Sequence, residues 1–112
     1  MSAPRLNRAL VLEARGQAPD GGGGFVESWT ALGTIWAEVT AGTGREVASD
    51  QLMVSKMGYR IRVRAAVAGA PSRPVAGQRF RDGARVFAVQ AVAESDPEGR
   101  FLTCFAVEEV SV

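Results

Sequence analysis

The residues that could do chemistry in this chain are its carboxylates, its arginines and a single thiol, because histidine is absent. That absence removes the commonest general base, the commonest metal ligand, and the Ser-His and Cys-His nucleophile pairs. Cys104 stands alone, so no intrachain disulfide forms and nothing joins it in a redox or zinc site. It reads as a small core residue. Glu108 and Glu109 are adjacent on an expected strand and face opposite ways, which separates them as an acid-base pair. Asp20, Glu94, Asp96 and Glu98 could gather around a hard cation such as calcium, but the spaced acidic loop of an EF-hand is missing. The carboxylates read as solvated charges, and the chain as no enzyme, with no cofactor and no metal.

Binding chemistry is better represented. Arg60, Arg62 and Arg64 alternate along one stretch, and on a strand they would repeat at roughly 6.6–6.8 Å, a spacing that can follow a phosphate backbone. The plainer reading is a solvated face, or ion pairs with Glu27 or Glu38 on a neighbouring strand. Trp29 and Trp36 could stack on single-stranded bases, although in a domain of this size they serve more often as core or interface anchors. The Gly21–Gly24 run lacks both the helix opening and the Lys-Ser/Thr pair of a phosphate cradle, since Phe25-Val-Glu-Ser-Trp-Thr30 behind it is strand-like.

These residues must be positioned by one domain, 1–112, because a chain of 112 residues has room for a single self-sufficient core. With 46% hydrophobic and 22% charged residues the balance is that of a folded protein. Thirteen basic against twelve acidic residues give a net charge of +1, so no global field draws the chain to nucleic acid or an anionic membrane. Lys56 is the only lysine. Residues 1–8 lack an apolar targeting core and no stretch approaches the ~20 apolar residues of a membrane span, which points to assembly in the cytoplasm.

The hydrophobic pattern is mainly β. Leu6–Arg15 reads as a first strand with Leu10, Leu12 and Ala14 on one face, followed by a flexible loop at about 16–24. Phe25–Leu32 and Thr34–Ala41 read as two strands broken at Gly33, with Ile35, Ala37 and Val39 on the buried face of the second. Thr43-Gly-Arg-Glu46 has capping-box spacing and predicts one short helix around residues 44–56, ended by Gly58. Tyr59–Val67 alternates cleanly, placing Tyr59, Ile61, Val63 and Ala65 inward and the three arginines outward. A second loop at about 68–78 precedes a hairpin signalled by Asp82-Gly83, across which Phe80 and Phe87 would pack. In the closing strand Phe101, Thr103, Phe105 and Val107 share a face. Six to seven strands joined by tight turns predict a small antiparallel β-barrel or sandwich, because closure removes exposed edges.

The order of these features resembles the head-tail joining (head-closure, or stopper) proteins of tailed bacteriophages and phage-like gene-transfer particles. The resemblance is carried by Leu6-Asn-Arg-Ala-Leu-Val-Leu12, Pro19-Asp-Gly-Gly-Gly-Gly-Phe25, Trp29-Thr-Ala-Leu-Gly-Thr-Ile-Trp-Ala-Glu-Val39, Thr43-Gly-Arg-Glu46, Tyr59-Arg-Ile-Arg-Val-Arg64 and Gly83-Ala-Arg-Val-Phe-Ala-Val89. It spans nearly the whole chain, although the loop from Gly69 to Gly77 lacks a Thr-x-x-Met-Arg segment common in the family. It implies a subunit of a homo-oligomeric ring at the neck of the particle, closing the portal channel after DNA packaging. Its implied partners are itself, portal and adaptor proteins on the head side, and tail terminator or tail proteins on the tail side. Packaged DNA would lie close by without sequence-specific binding.

Ring subunits use heterologous interfaces, in which one face complements a different face of the next copy. The candidate interface residues are Thr43, Arg45, Glu46 and Asp50 on the expected helix, Arg60, Arg62 and Arg64 on the strand, and Asp20, Gly22 and Arg73 in the two loops. The rival reading is an OB-like or SH3-like barrel binding nucleic acid or peptide, and a tail terminator is the alternative within the structural class.

Overall fold

The arginine-bearing stretch and the segments around it alternate apolar and polar residues, and in a computed structural model, which describes residues 3–49 and 52–109, they form strands. There are six among the described residues: β1 (Arg8–Pro19), β2 (Phe25–Ser49), β3 (Leu52–Arg64), β4 (Arg79–Asp82), β5 (Arg85–Glu94) and β6 (Phe101–Glu109). Every pairing is antiparallel. The strand order β1-β2-β3-β6-β5-β4 closes on itself as a barrel, so the mainly β, barrel-like expectation holds. No described helix is long and apolar enough to cross a membrane.

The core follows the two-residue period. Leu10, Leu12, Ala37, Ile61, Val63, Phe80, Phe87, Leu102 and Cys104 are wholly buried, with Ile35, Val39, Tyr59 and Ala65 packed against them. Phe80 and Phe87 stand directly opposite each other across the β4–β5 hairpin, as the turn signal predicts. The two loop residues of that hairpin are Gly83 and Ala84, between the Asp82↔Arg85 pair. In β6 it is Leu102, Cys104 and Ala106 that enter the core; the larger Phe101, Phe105 and Val107 share the outer face. Alternation alone specifies two faces and leaves open which of them is covered.

Three sequence expectations are corrected. First, Gly33 does not break the chain. Leu12 pairs with Gly33 and Glu13 with Ala31, so Leu32 is an extra residue in a bulge and β2 runs on through it. Gly33 has φ 149°, which a side chain would disfavour. Second, β1 continues to Pro19, paired with Phe25, which confines the glycine loop to residues 20–24. Third, the helix expected at 44–56 is strand on both sides of its midpoint: Gly44–Ser49 pairs with Leu52–Met57, and Asp50 and Gln51 lie outside the described residues. The physical reason is cooperative. The β2–β3 ladder is already running through Ala37–Ala41, and each further pair extends it, whereas a three-turn helix must pay for nucleation and find an apolar surface to pack on. Val47 and Val54 are register partners in the ladder, a backbone that β-branched residues favour.

β2 is consequently the backbone of the molecule. At ~3.3 Å per residue its 25 residues would run to roughly 80 Å, beyond the longest axis of the molecule, 52 Å. It therefore coils, bending at the bulges near Gly33 and between Ala41 and Gly44. Its middle lies in the barrel and both ends leave it. Among the described residues Ala14–Pro19 pairs only with Phe25–Thr30, and Gly44–Ser49 only with Leu52–Met57. Each is a two-stranded arm of about 20 Å. The first arm leaves the end of the barrel where β3 finishes and β6 begins, and the second leaves the opposite end.

Barrel closure depends on the shortest seam. β1 and β4 share three residue pairs, Val11↔Arg81, Leu12↔Phe80 and Glu13↔Arg79. Glu13 is 5% exposed and accepts hydrogen bonds from Arg79 Nε at 2.7 Å and Arg81 Nε at 3.0 Å. Arg8 and Asp82 form a further ion pair on the same seam. Removing the Glu13 carboxylate would strand two guanidiniums, one of them largely covered. Glu13→Ala is expected to lower unfolding stability by about 2–3 kcal/mol, less than for a fully buried pair because Arg81 reaches solvent. By contrast Arg100→Ala removes a guanidinium that is itself 69% exposed and leaves Asp96 its two backbone donors, so it should change stability by less than about 1 kcal/mol. Urea unfolding of the two variants measures both.

Candidate functional site

The candidate interface residues fall into three places. Asp20 and Gly22 form the tip of the first arm. There the Asp20 carboxylate accepts hydrogen bonds from Gly22 N (2.7 Å) and Gly24 N (3.1 Å), while Asp20 N donates to Gly24 O. Those two N–H groups hold the carboxyl below its ordinary range, so it stays ionised. A Cβ on Gly24 would sit 2.8 Å from Asp20 Oδ2, so a side chain there would push the Asp20 carboxylate aside. Phe25 and Val26, next along the strand, are 66% and 51% exposed.

Thr43, Arg45 and Glu46 lie on the second arm, with Arg45 opposite Lys56 and Glu46 opposite Ser55; Asp50 is outside the described residues. Arg73 belongs to neither arm. It lies in the segment between β3 and β4, where its guanidinium donates to Ala66 O at 2.7 Å and its N–H to Ala70 O. Beside it Pro74 is fully buried, and Gly77 and Gln78 bond to the backbone of Val89.

The arginine row occupies the outer face of β3, where Arg60 stands opposite Phe105, Arg62 opposite Thr103 and Arg64 opposite Phe101 on β6. Arg62 makes the expected ion pair with Glu38, at 3.6 Å. Glu27 pairs with Arg15 instead, because it sits on the first arm, away from β3. Arg60 and Arg64 have no carboxylate within ion-pair distance among the described residues. Arg64 lies over the Phe101 ring at 5.7 Å, a favourable cation-π geometry. Arg62, Arg64 and Phe101 line a cleft of about 470 Å3 together with Ala3, Pro4 and the turn that carries Asp96, Pro97 and Glu98. The N-terminal segment is tied there by a hydrogen bond from Arg5 N to Glu38.

The turn wall is well organised. Asp96 Oδ1 accepts from Arg100 N and Phe101 N, and Oδ2 from Arg100 Nε. Partial desolvation raises the Asp96 carboxyl, and these donors outweigh it, leaving it below its ordinary range. At the other end of the barrel Arg85 makes a two-pronged pair with Glu108 (2.8 and 3.1 Å) and donates to Tyr59 Oη. That pairing lowers the Glu108 carboxyl. The Tyr59 ring meets Phe87 edge-on at 5.1 Å.

Trp29 anchors the first arm to the barrel. Arg79, already bound to Glu13, stacks on its ring at 4.0 Å, and its indole N–H donates to Glu27. Trp36 is 58% exposed on the outer face of β2. Sequence reading passed over Glu13, Arg79, Arg81 and Arg85, whose partners are 23 to 68 residues away; only the strand order brings them together. Burial pushes the Cys104 thiol up to about 12, which suppresses the reactive thiolate. No three Cys, Asp or Glu side chains among the described residues converge as a metal site would require.

The arrangement is thus a closed barrel whose inward groups are packed or paired, and whose unsatisfied chemistry is on its outside: arginine, exposed aromatics, and strand edges of two arms. Such a surface suits assembly with other chains. The chain belongs to the phage head completion protein family, whose model matches residues 1–109. Among solved structures it is similar to a chain of the virion of a native gene transfer agent (GTA) particle. The two share 52% identity with a TM-score of 0.83, over 98% of this chain and 100% of that one. A search of curated protein sequences finds no match. A role as a structural component of a phage or gene-transfer particle follows from the two similarities.

The lowered Asp96 carboxyl has a definite sign. Its contribution to stability is present above the unfolded value of about 3.9 and is lost as the pH falls through the lower folded value. Asp96→Asn should therefore be less stable than the parent at neutral pH, with the gap closing below about pH 4. Urea midpoints between pH 7 and 2 test this.

Proposed function

We propose that this protein is a subunit of the ring at the head-tail junction, closing the portal channel after DNA packaging and joining head to tail. The carrying observation is that two arms of equal length leave opposite ends of one closed barrel on a single continuous strand. A molecule built this way can engage one partner at each end while the barrel holds the two at fixed separation. Family membership and the full-length similarity to a virion chain support a place in the particle. On this reading the head side presents portal or adaptor proteins and the tail side the terminator or tail proteins.

The nucleic-acid reading has less support. Arg62 is engaged by Glu38, which interrupts the arginine row that a phosphate backbone would follow.

In particle-producing cells, loss of the protein should leave heads without joined tails, seen by electron microscopy. Particles that join normally without it would overturn the proposal. Replacing residues 43–57 by an Asn-Gly turn spares the β3–β6 ladder, which begins at Gly58. That variant should fold, with an unfolding midpoint close to the parent's, and should lose attachment on one side only, as scored by which particle proteins a tagged copy retains.

A further inference from the structure

The strand β4 covers only part of the edge that β1 presents to it. Val11 is met by Arg81 and Glu13 by Arg79, the first residue of β4. Beyond Glu13 the same edge of β1 runs on into the first arm with no strand partner among the described residues. The opposite edge of the arm, Phe25–Thr30, is also bare there, since β3 joins β2 only from Ala37 onward.

The arm tip fixes which backbone groups point outward. Asp20 N donates to Gly24 O, so these two form a hydrogen-bonded pair, and such pairs alternate with non-bonded ones along an antiparallel ladder. Ala18 is then bonded to Val26, Gly16 to Ser28 and Ala14 to Thr30, following the register. Pro19 falls at a non-bonded position, where its missing N–H is not needed. Arg15 and Gln17 therefore turn their N–H and C=O groups out along one edge, and Phe25, Glu27 and Trp29 along the other. Exposed edges are ordinarily guarded by lysine, proline or a bulge. Arg15–Ala18 and Val26–Trp29 contain none of these, the charges of Arg15 and Glu27 offset each other, and Phe25 and Val26 are 66% and 51% exposed.

The two bare edges run in opposite directions and lie level, Gln17 with Glu27 and Arg15 with Trp29. Rotation about an axis along the arms preserves height. It brings Glu27 of one copy level with Gln17 of the next, antiparallel, with the outward groups of both facing each other. Unlike edges meet, so the contact is heterologous and repeats around a ring. Arms only two strands wide, leaning toward the axis, can stand ~10 Å apart, twice the strand spacing, where the wider barrels cannot.

We infer that in the assembled ring the first arms pair edge to edge, Arg15–Pro19 of one copy against Phe25–Trp29 of the next, as one continuous antiparallel sheet. The inference rests on the ring reading above and names a contact between its subunits.

In this register Ala18 of one copy and Val26 of the next form a non-bonded pair with Cα atoms ~4.5 Å apart, within disulfide reach. Ala18→Cys and Val26→Cys chains, differently tagged, are co-expressed in particle-producing cells and the particles oxidised mildly; native Cys104 is buried. A disulfide-linked dimer carrying both tags is expected, and none when either variant is expressed alone. Adding Gln17→Pro or Glu27→Pro, each of which deletes an outward N–H and leaves the arm's own bonds, should cut the mixed dimer at least tenfold with the parent's unfolding midpoint retained. In particles whose necks show a ring of this protein by electron microscopy, three results overturn the edge pairing and leave the ring reading intact: no mixed dimer, a dimer from one variant alone, or a mixed dimer undiminished by either proline. Necks with no such ring overturn both.

Discussion

Glu13 is the carboxylate on which barrel closure turns. Four of the six neighbouring strand contacts around the barrel run to seven or more residue pairs, whereas β4 is held by a four-pair hairpin to β5 and by three residue pairs to β1. Closing that seam removes the edges of β1 and β4 that would otherwise stay open, and it does so with a carboxylate held between Arg79 and Arg81. Removing one member of such a cluster leaves charge without a partner, so it acts as a lock more than as a gain in net stability. Because Arg79 also stacks on Trp29, the same lock orients the first arm. Arm direction and barrel closure therefore share one side chain, Arg79.

The long strand β2 explains how so small a chain reaches in two directions. A strand confined to the barrel would need about half its length. Bulges near Gly33 and Ala41 bend β2 twice, so that its ends follow β1 and β3 away from the barrel at opposite ends. Two-stranded ribbons of this kind have little core of their own and carry unpaired edges. They are economical where a neighbouring chain supplies the missing contacts, which suits membership in a family of particle proteins.

Charge is arranged to the same end. With thirteen basic and twelve acidic residues the chain has no net field of consequence, and most barrel arginines are matched locally by carboxylates. The outer row on β3 departs from this, pairing Arg62 with Glu38 while Arg64 lies over the Phe101 ring and Arg60 stands opposite Phe105 in the ladder. Aromatic rings backing guanidiniums favour interfaces, where planar cations lose less on desolvation than lysine would.

How much of this was legible beforehand depends on the range of the interactions. Strand identity was written in local alternation: Ile35/Ala37/Val39 and Tyr59/Ile61/Val63/Ala65 face the core as their period of two implies. So was the Phe80–Phe87 pair, since a tight turn fixes register between adjacent strands. The absence of histidine and the lone Cys104 set the chemistry aside without any coordinates. What only tertiary structure decided is non-local. Residues 44–56 carry both a capping signal and β-branched residues, and the existing β2–β3 ladder, not local propensity, made 44–49 and 52–56 strand. Which face of β6 is inside, and that Glu13 would meet two arginines 66 and 68 residues away, follow from strand order alone, because a sequence periodicity records that two faces differ and not what will cover them.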